Sequence, residues 1–266
     1  MDDLLAQWHA AETAHMTGWD FSALRSRYNE DEPPWDFQAL CREALRSATS
    51  VLDMGTGGGE RLLALAAHLP GDTVATEGWE PNLPVATAAL APHGIAVLSY
   101  DAAPDELMPF PAGRFDLIMN RHESCTITEV ARTLRPGGLF LTQQVGADNL
   151  AEARALFGDG ASYPEQTLAH WSAGLTAAGL SVATGTEWHG QTRFDSVTTL
   201  IHYLRLVPWE VPDDFTVDRY LPVLKGLYDE FEARGRPITF TSHRFWVRAS
   251  APGGNPVEAT PEVRVQ

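Results

Sequence analysis

Cysteines, basic residues and long apolar runs are all scarce in this sequence. Of 266 residues only Cys41 and Cys125 are cysteines, and their spacing matches no paired metal-ligand motif. Two isolated thiols are typical of a protein in a reducing compartment. No apolar run approaches the roughly 20 residues that a membrane-spanning helix needs, and the acidic start MDDLLAQWHA lacks a signal-peptide pattern. We therefore expect a cytoplasmic protein with no membrane partner and no metal site.

Positive charge is also in short supply. The chain has 35 acidic and 19 basic residues, so its formal net charge is −16. A surface this acidic repels phosphate backbones, and we expect no nucleic-acid partner. With 44% hydrophobic and 20% charged residues, the composition is that of a globular protein. The length allows one large domain or two small ones.

Short apolar runs alternate with helical patterns through the middle of the chain. Strands are expected at residues 51–53, 73–76, 95–100, 115–119 and 139–142. Helical spacing of apolar residues lies between most of them. This alternation predicts an α/β fold with a Rossmann-like, doubly wound and mostly parallel sheet.

The segment VLDMGTGGGE, Val51 to Glu60, leads from the first of these strands into a glycine-rich loop. A strand that feeds glycines at the start of a helix is typical of a nucleotide-like ligand. Here Glu60 follows the glycines. Its carboxylate is favourable for the helix dipole but would repel a pyrophosphate, and the Gly-Lys-Ser/Thr ending of a phosphate-binding loop is absent. The loop is therefore predicted to approach a ligand without phosphate.

Two acids at the ends of the next strands indicate what the ligand is. Glu77 ends the second strand, where a carboxylate can accept hydrogen bonds from ribose hydroxyls. Asp101, in SYDAA, ends the third strand, where it can accept a hydrogen bond from the exocyclic amine of adenine. A glycine loop with these two acids suits a cationic adenosine ligand.

Several segments, in unbroken order, resemble the class I S-adenosylmethionine-dependent methyltransferases. VLDMGTGGGE resembles their first motif and ATEGWEPN the second-strand motif. SYDAA and MPFPAGRFDLIMNRHE resemble the adenine motif and fourth strand, and ARTLRPGGLFLTQQ the helix, turn and fifth strand that follow. The resemblance covers roughly residues 45–145. It implies S-adenosyl-L-methionine as cofactor, methyl transfer to a small molecule, and an antiparallel last strand.

The resemblance also implies a set of cofactor-binding residues. They are Asp53, Gly55, Thr56, Gly57, Gly59, Glu77, Gly78, Trp79, Asp101, Ala102 and Asn120. The second-strand motif departs from the usual acid-then-aliphatic pattern, so Glu77 and Glu80 are both candidates for the ribose. We favour Glu77 because the strand leads directly into it. Trp79 is expected either to flank the adenine or to pack within the protein.

Polar residues after strands four and five are candidates for the substrate side. His122, in the sequence NRHE, is a candidate general base for proton removal, and its alternative role is structural. Glu123 could orient it. The further substrate-side candidates are Trp19, Arg121, Gln143 and Tyr203.

The chain is predicted to contain five segments. They are an aromatic helical N-terminal lid at 1–34, the methyltransferase core at 35–188, a helical insertion over the substrate side at 189–236, the last core strand at 237–250 and a flexible tail at 251–266. Two other functions stay open. The chain could use the sulfonium differently, by aminocarboxypropyl transfer or by cyclisation that releases methylthioadenosine, or it could bind the cofactor without turnover.

Overall fold

The computed structural model describes residues 2–14, 24, 26–102, 106–158 and 163–253. These residues form an α/β fold. The strands are β1 Tyr28–Glu30, β2 Ser50–Met54, β3 Asp72–Glu77, β4 Ala96–Ser99, β5 Phe115–Arg121, β6 Leu134–Val145, β7 Ser181–Phe194 and β8 Ile238–Ser250. The α-helices are α1 Asp2–Thr13, α2 Phe37–Leu45, α3 Glu60–Leu63, α4 Leu83–Leu90, α5 Ile127–Thr133, α6 Ala151–Phe157, α7 Leu168–Ala177, α8 Val197–Leu206 and α9 Leu221–Glu230.

The eight strands form one sheet in the order β1-β7-β8-β6-β5-β2-β3-β4. The pairs β2–β3, β2–β5, β3–β4 and β5–β6 are parallel, and β1 is antiparallel to β7. Backbone hydrogen bonds join Gly137 to Ala251 and Gly146 to His243, so β8 runs antiparallel to β6. The predicted Rossmann-like sheet with an antiparallel last strand is confirmed.

The central strands are the ones that the sequence pattern identified best. In β2 the apolar side chains of Val51, Leu52 and Met54 are buried. A strand covered on both faces has a continuous apolar run, which is typical of parallel sheets between helices. The spacing of apolar residues also predicts helices over 83–90 and 197–206, and α4 and α8 have these bounds.

The strands toward the β1 edge of the sheet differ from the prediction. The sequence also predicts a sixth strand over residues 180–184, but β7 continues to Phe194. Much of the added part is polar and exposed, so it has no apolar pattern to mark it as a strand. β1 was not predicted either, and its three residues pair with Phe194, Arg193 and Thr192. Both misses arise because backbone pairing at an edge, rather than burial, makes these segments strands.

Contacts divide the chain into two compact units. The core unit comprises residues 37–144, 168–186 and 246–266, and the cap unit comprises residues 1–36, 145–167 and 187–245. The core unit contains β2, β3, β4 and β5 with their helices. No helix in the described part of the chain has the length and apolar character needed to cross a membrane.

The cap unit has its own hydrophobic core. Helix α1 packs on α8, and Trp8 is fully buried in a cluster that includes Phe194, Leu200 and Phe240. Residues 1–34 therefore contribute to this core through Trp8. Their predicted role as a lid stays a prediction, and the MTGWDF segment at 16–21 lies outside the described residues. The predicted tail is described only to residue 253.

Candidate active site

The parallel strands of the core unit bring the predicted site residues to one edge of the sheet. Asp53 is paired with Ala75 on β3 and with Met119 on β5. One residue further along, Asn120 is paired with Met54 and with Thr142 on β6. Because the carboxyl ends of parallel strands meet at the same edge, this is the edge where ligands bind in doubly wound sheets.

The glycine loop after β2 takes a conformation that only glycine adopts without strain. Gly55 and Gly57 both have φ of 62°, and Gly59, which precedes α3, has φ of 89°. Side chains at such positive φ values are disfavoured. The loop is fixed to the neighbouring strand because the Thr56 N–H donates to the carbonyl of Thr76 at 2.9 Å.

Glu77 is the acid that organises this loop. Its side chain is buried, and one carboxylate oxygen accepts the Gly57 N–H at 2.6 Å while the other accepts the Trp79 N–H at 2.8 Å. Burial raises the pKa of Glu77, and these amide hydrogen bonds oppose the rise. Glu80 is exposed. Of the two ribose candidates, only Glu77 therefore contacts the glycine loop.

Two further carboxyl groups lie close to Glu77. Burial raises the pKa of Asp53 to about 7; Thr56 opposes the rise and the charge of Glu77 adds to it. Burial likewise raises the pKa of Glu123 to about 7, with a further contribution from Glu77. In the part of the chain that the structure describes, no lysine or arginine forms an ion pair with any of the three. Such a cluster favours a cation as its partner.

The sequence prediction missed the contact that Glu123 makes. A side chain placed on Gly55 would meet the Glu123 side chain at 2.5 Å, so Glu123 lies directly against the glycine loop. Its carboxylate also accepts the Ser124 N–H at 3.1 Å. The available signal was an acid after strand four, at the ligand edge, but the prediction considered it only as a partner for His122.

The predicted adenine end of the site is formed by close backbone approach. A side chain on Gly78 would meet the Tyr100 carbonyl oxygen at 3.0 Å and the Asp101 Cα at 3.2 Å. Glycine at this position therefore lets the end of β3 lie against residues 100–101. Asp101 is exposed, Ala102 is half-buried beside it, and Trp79 is 41% exposed. The structure thus brings these predicted cofactor residues to the same end of β3 and β4.

Asn120 lies beneath this surface rather than on it. Its side chain is fully buried, and its oxygen accepts hydrogen bonds from Thr142 Oγ1 at 3.1 Å and Gln144 Nε2 at 2.6 Å. Gln144 Nε2 also donates to the carbonyl of Glu123 at 3.1 Å. These contacts fix the loop that carries Glu123. A direct contact of Asn120 with the cofactor stays a prediction.

His122 has an unusual backbone conformation. Its φ is 60°, a left-handed value that is uncommon for residues other than glycine and often occurs at functional sites. The Nε2 atoms of His122 and Gln143 are 3.0 Å apart. An amide nitrogen only donates, so with this assignment the Nε2 lone pair of His122 is an acceptor already in use. Its role as general base stays a prediction.

The remaining substrate-side candidates lie in different places. Arg121 lines a small depression beside Asp53, together with Phe37 and Met119. Tyr203 is buried in the core of the cap unit, where its ring centroid is 5.1 Å from that of Tyr28. Trp19 lies outside the described residues. The structure therefore places Arg121 and Gln143 at the candidate site, and it gives Tyr203 a packing contact in the cap unit.

The residues at this edge fit S-adenosylmethionine better than a phosphate-bearing nucleotide. Three acidic side chains can neutralise a cation, whereas the Glu60 carboxylate folds back against Gly58 and would oppose a phosphate there. The buried hydroxyls of Thr56 and Tyr100 can also form hydrogen bonds with a ligand. Thr56 Oγ1 lies close enough to Asp53 to lower the pKa of that carboxyl, but it makes no hydrogen bond of normal geometry to the described residues. The Tyr100 hydroxyl makes no such hydrogen bond either.

Comparison with known proteins agrees with this geometry. Residues 52–142 match the model of a methyltransferase domain family. The uncharacterized methyltransferase YcgJ of Bacillus subtilis is 24% identical in an alignment 164 residues long, which covers 57% of this chain and 64% of that protein. The alignment thus spans just under two thirds of that relative.

Solved structures have the same fold. The crystal structure of YcgJ has a TM-score of 0.56 at 20% identity and covers 82% of this chain and 99% of that one. A candidate methyltransferase from Bacillus halodurans has a TM-score of 0.58 at 22% identity, with the same coverage. The [4+2]-cyclase SpnF has a TM-score of 0.51 at 16% identity and covers 95% of this chain and 93% of its own.

Proposed function

We propose that this protein belongs to the class I S-adenosylmethionine-dependent methyltransferases and transfers a methyl group to a small-molecule acceptor. The match of residues 52–142 to a methyltransferase domain family supports this proposal. We further propose that it acts in the cytoplasm, because Cys41 and Cys125 are free thiols. We propose that it does not act on nucleic acid, because its formal net charge is −16. The family implies S-adenosylmethionine as the cofactor.

The acidic cluster of Asp53, Glu77 and Glu123 is the observation that carries this proposal. S-adenosylmethionine supplies an electrophilic methyl group on a cationic sulfonium, and it has a second positive charge on its ammonium group. We assign the ribose hydroxyls to Glu77 and the adenine amine to Asp101. Asp53 and Glu123, which lie at the glycine loop, are assigned to the positively charged amino-acid end.

The chain would contribute to the reaction mainly by positioning. Holding two reactants in line can supply several kcal/mol of the barrier reduction, about 7–11 kcal/mol in favourable cases. The network of Asn120, Gln144 and the Glu123 carbonyl fixes the loop after β5 for this purpose. We propose that His122 takes a proton from the molecule that receives the methyl group, when the Gln143 side chain turns away from His122 Nε2.

Product analysis tests methyl transfer against the alternative chemistries. The purified protein is incubated with S-adenosylmethionine and a panel of small hydroxyl, amine, thiol and carboxylate acceptors. Methyl transfer predicts S-adenosylhomocysteine together with an acceptor heavier by one methylene. Methylthioadenosine would instead indicate aminocarboxypropyl transfer or cyclisation. Bound cofactor without any product across the panel would support a non-catalytic module; the cyclase SpnF shows that this fold also occurs in a protein named for a different reaction.

We also propose that the segments 1–34 and 189–236 cover the substrate. They belong together in the cap unit, where α1 packs on α8. Hydrogen exchange should show added protection of α1 and β1 when S-adenosylhomocysteine is present, with little change in β2 and β5. Equal protection with and without the ligand would contradict a lid. Deletion of residues 1–34 is a poor test because it removes Trp8 from the core.

A further inference from the structure

Three side chains from distant parts of the chain meet on the cap unit. Asp148 follows β6, His189 lies on β7 and His243 lies on β8. One potential ligand atom from each lies within 4.8 Å of the other two. All three residues belong to the same unit. The sequence could not reveal this cluster, because His189 is 41 residues and His243 is 95 residues from Asp148.

The distances within the cluster suit a metal ion. Asp148 Oδ2 lies 3.0 Å from His189 Nε2 and 3.6 Å from His243 Nδ1. Ligands bonded to zinc at about 2.0–2.2 Å in a tetrahedral arrangement lie about 3.3 Å from one another. The two measured separations lie on either side of that value. Asp148 Oδ2 therefore lies at ligand-like distances from one nitrogen of each histidine. The half-exposed His189 ring, which stacks on His243, must turn for both rings to direct a nitrogen at one ion.

The tautomer of His243 follows from its hydrogen bonds. Its Nδ1 lies 3.1 Å from the amide nitrogen of Asp148, which can only donate, so Nδ1 is unprotonated. The ring proton is then on Nε2, 3.1 Å from Glu187 Oε1. An unprotonated nitrogen and a carboxylate oxygen thus face each other without a proton between them, an arrangement that a cation stabilises.

The surroundings of His243 match those of metal-bound histidines. Such histidines commonly donate their second ring N–H to a carboxylate, which fixes the ring and raises its basicity. Glu187 is placed to accept that proton. The ring is also held from behind by Gly146, where a Cβ would meet it at 2.3 Å, and it stacks on His189 with 4.0 Å between ring centroids.

We propose that Asp148, His189 and His243 bind a divalent transition-metal ion of the zinc type, with Glu187 orienting His243. Three protein ligands leave one position for water, as in open zinc sites. A metal on Nδ1 replaces the hydrogen bond from the Asp148 amide. Asp148 can accommodate this change because its side chain is 63% exposed. The site would tie the loop after β6 to β7 and β8.

Cobalt titration tests the proposal directly, because Co²⁺ is a coloured substitute for zinc. Tag-free protein is stripped with a chelator and titrated with Co²⁺ while visible absorption is recorded; Zn²⁺ is then added in competition. We expect one equivalent of Co²⁺ to give the d–d bands of a four- or five-coordinate site, and Zn²⁺ to abolish them. Thermal unfolding is measured in parallel, and the midpoint should rise with metal concentration.

Variants decide which residues are the ligands. His189→Ala and Asp148→Asn change exposed side chains and should lower the affinity for Co²⁺ more than about tenfold. Glu187→Gln should lower it about 10- to 100-fold, the usual effect of an outer-shell partner, while one equivalent still binds. His93→Ala is the matched control, since His93 is an exposed histidine of the core unit.

Two results would overturn the site. One is wild-type protein that shows only the spectrum of hydrated cobalt. The other is a His189→Ala variant that binds Co²⁺ as tightly as wild type, which would mean that the two histidines are merely stacked and hydrogen-bonded. Circular dichroism of each variant confirms that it is folded. Because the readout is metal binding, it is independent of the proposed methyl transfer.

Discussion

Partly or fully buried acids have different partners in the cap unit and at the glycine loop of the core unit. In the cap unit, Arg244 pairs with Glu30, and Arg154 pairs with Glu210 at 3.4 Å. At the glycine loop, Glu77 accepts two backbone amides and Glu123 accepts one, and within the described residues neither these acids nor Asp53 pairs with an arginine or lysine. The difference indicates that the cap acids are already neutralised and serve structure. The loop acids remain able to bind a cation.

Removal of Arg244 is expected to have the largest effect on stability. Its guanidinium is buried and hydrogen-bonded to Glu30 and to Asn149 Oδ1 at 2.7 Å. Arg244→Met leaves Glu30 without its cation and should lower the free energy of unfolding by about 3–5 kcal/mol, as for a broken buried pair. Denaturant unfolding measures the loss. The affinity of the folded protein for S-adenosylhomocysteine should change little.

Arg193→Met provides the matched control for that prediction. Arg193 pairs with Asp31 at a more exposed position of the same unit, so its loss should lower the free energy of unfolding much less than the loss of Arg244. If both arginine substitutions lower the free energy of unfolding equally, burial does not explain the strength of the Arg244–Glu30 pair. The double variant Arg244→Met with Glu30→Leu should recover much of the stability, because it removes both buried charges.

Glu77→Ala, unlike Arg244→Met, should act mainly on the affinity for the cofactor. It removes the acceptor of the Gly57 and Trp79 amides and one acid of the cluster, so cofactor affinity should fall by about 1–3 kcal/mol. Isothermal calorimetry with S-adenosylhomocysteine measures this. Glu80→Ala changes an exposed acid nearby and should bind as wild type. A loss for Glu80→Ala with none for Glu77→Ala would move the ribose contact to Glu80.

Cofactor affinity should also depend on pH near neutrality. Burial raises the pKa of both Asp53 and Glu123 to about 7, so the folded protein holds protons that the unfolded chain releases near pH 4. Stability of the free protein should therefore fall as pH rises from about 4 to 7 and then level off. A cationic ligand binds the ionised acids more tightly, so the affinity of the protein for that ligand should increase as the pH rises toward 7.

Calorimetry across pH 5.5–8.5 measures this rise, which is at most about tenfold per pH unit for each coupled proton. Glu123→Gln removes one of the titrating groups and should flatten the profile. The peripheral variant Asp31→Asn, in the cap unit, should leave it unchanged. An affinity for S-adenosylmethionine that is constant over this range, or falls with rising pH, would show that the loop acids do not bind its charge.

Gly57→Ala is expected to give the smallest effect. Gly57 has φ of 62° but open space around its Cα, so alanine adds backbone strain of about 1–2 kcal/mol and no clash. Gly94→Ala is the matched control, since Gly94 has φ of 73° and open space outside the loop. Both should lose similar stability, measured by thermal unfolding, but only Gly57→Ala should also weaken cofactor binding.

The sequence predicted the fold of the core unit well because its strands are buried between helices. The apolar runs at β2 and β5 and the spacing in α4 are direct consequences of that burial. β1 and the second half of β7 escaped prediction because their polar residues are held by pairing at a sheet edge. The acids Asp53, Glu77 and Asp101 were predictable because each lies at the carboxyl end of a recognisable strand.

The contacts of the site were predictable only in part. Glu123 contacts the glycine loop through tertiary structure, which brings the loop after β5 against Gly55. Tyr203 is predicted to lie on the substrate side, but in the structure it is buried against Tyr28. The partners of a side chain that is distant in sequence depend on strand register, and one sequence does not contain that information.

Competitive calorimetry tests the central claim most directly, namely that the loop acids form a site for a cationic adenosine cofactor. S-adenosylmethionine, S-adenosylhomocysteine, NAD and ATP are titrated into the same preparation of wild-type protein at pH 7.5. The account predicts micromolar binding, about −8 kcal/mol, for the two sulfur compounds and far weaker binding of NAD and ATP, whose phosphates Glu60 opposes. Tighter binding of NAD or ATP than of S-adenosylmethionine would contradict it.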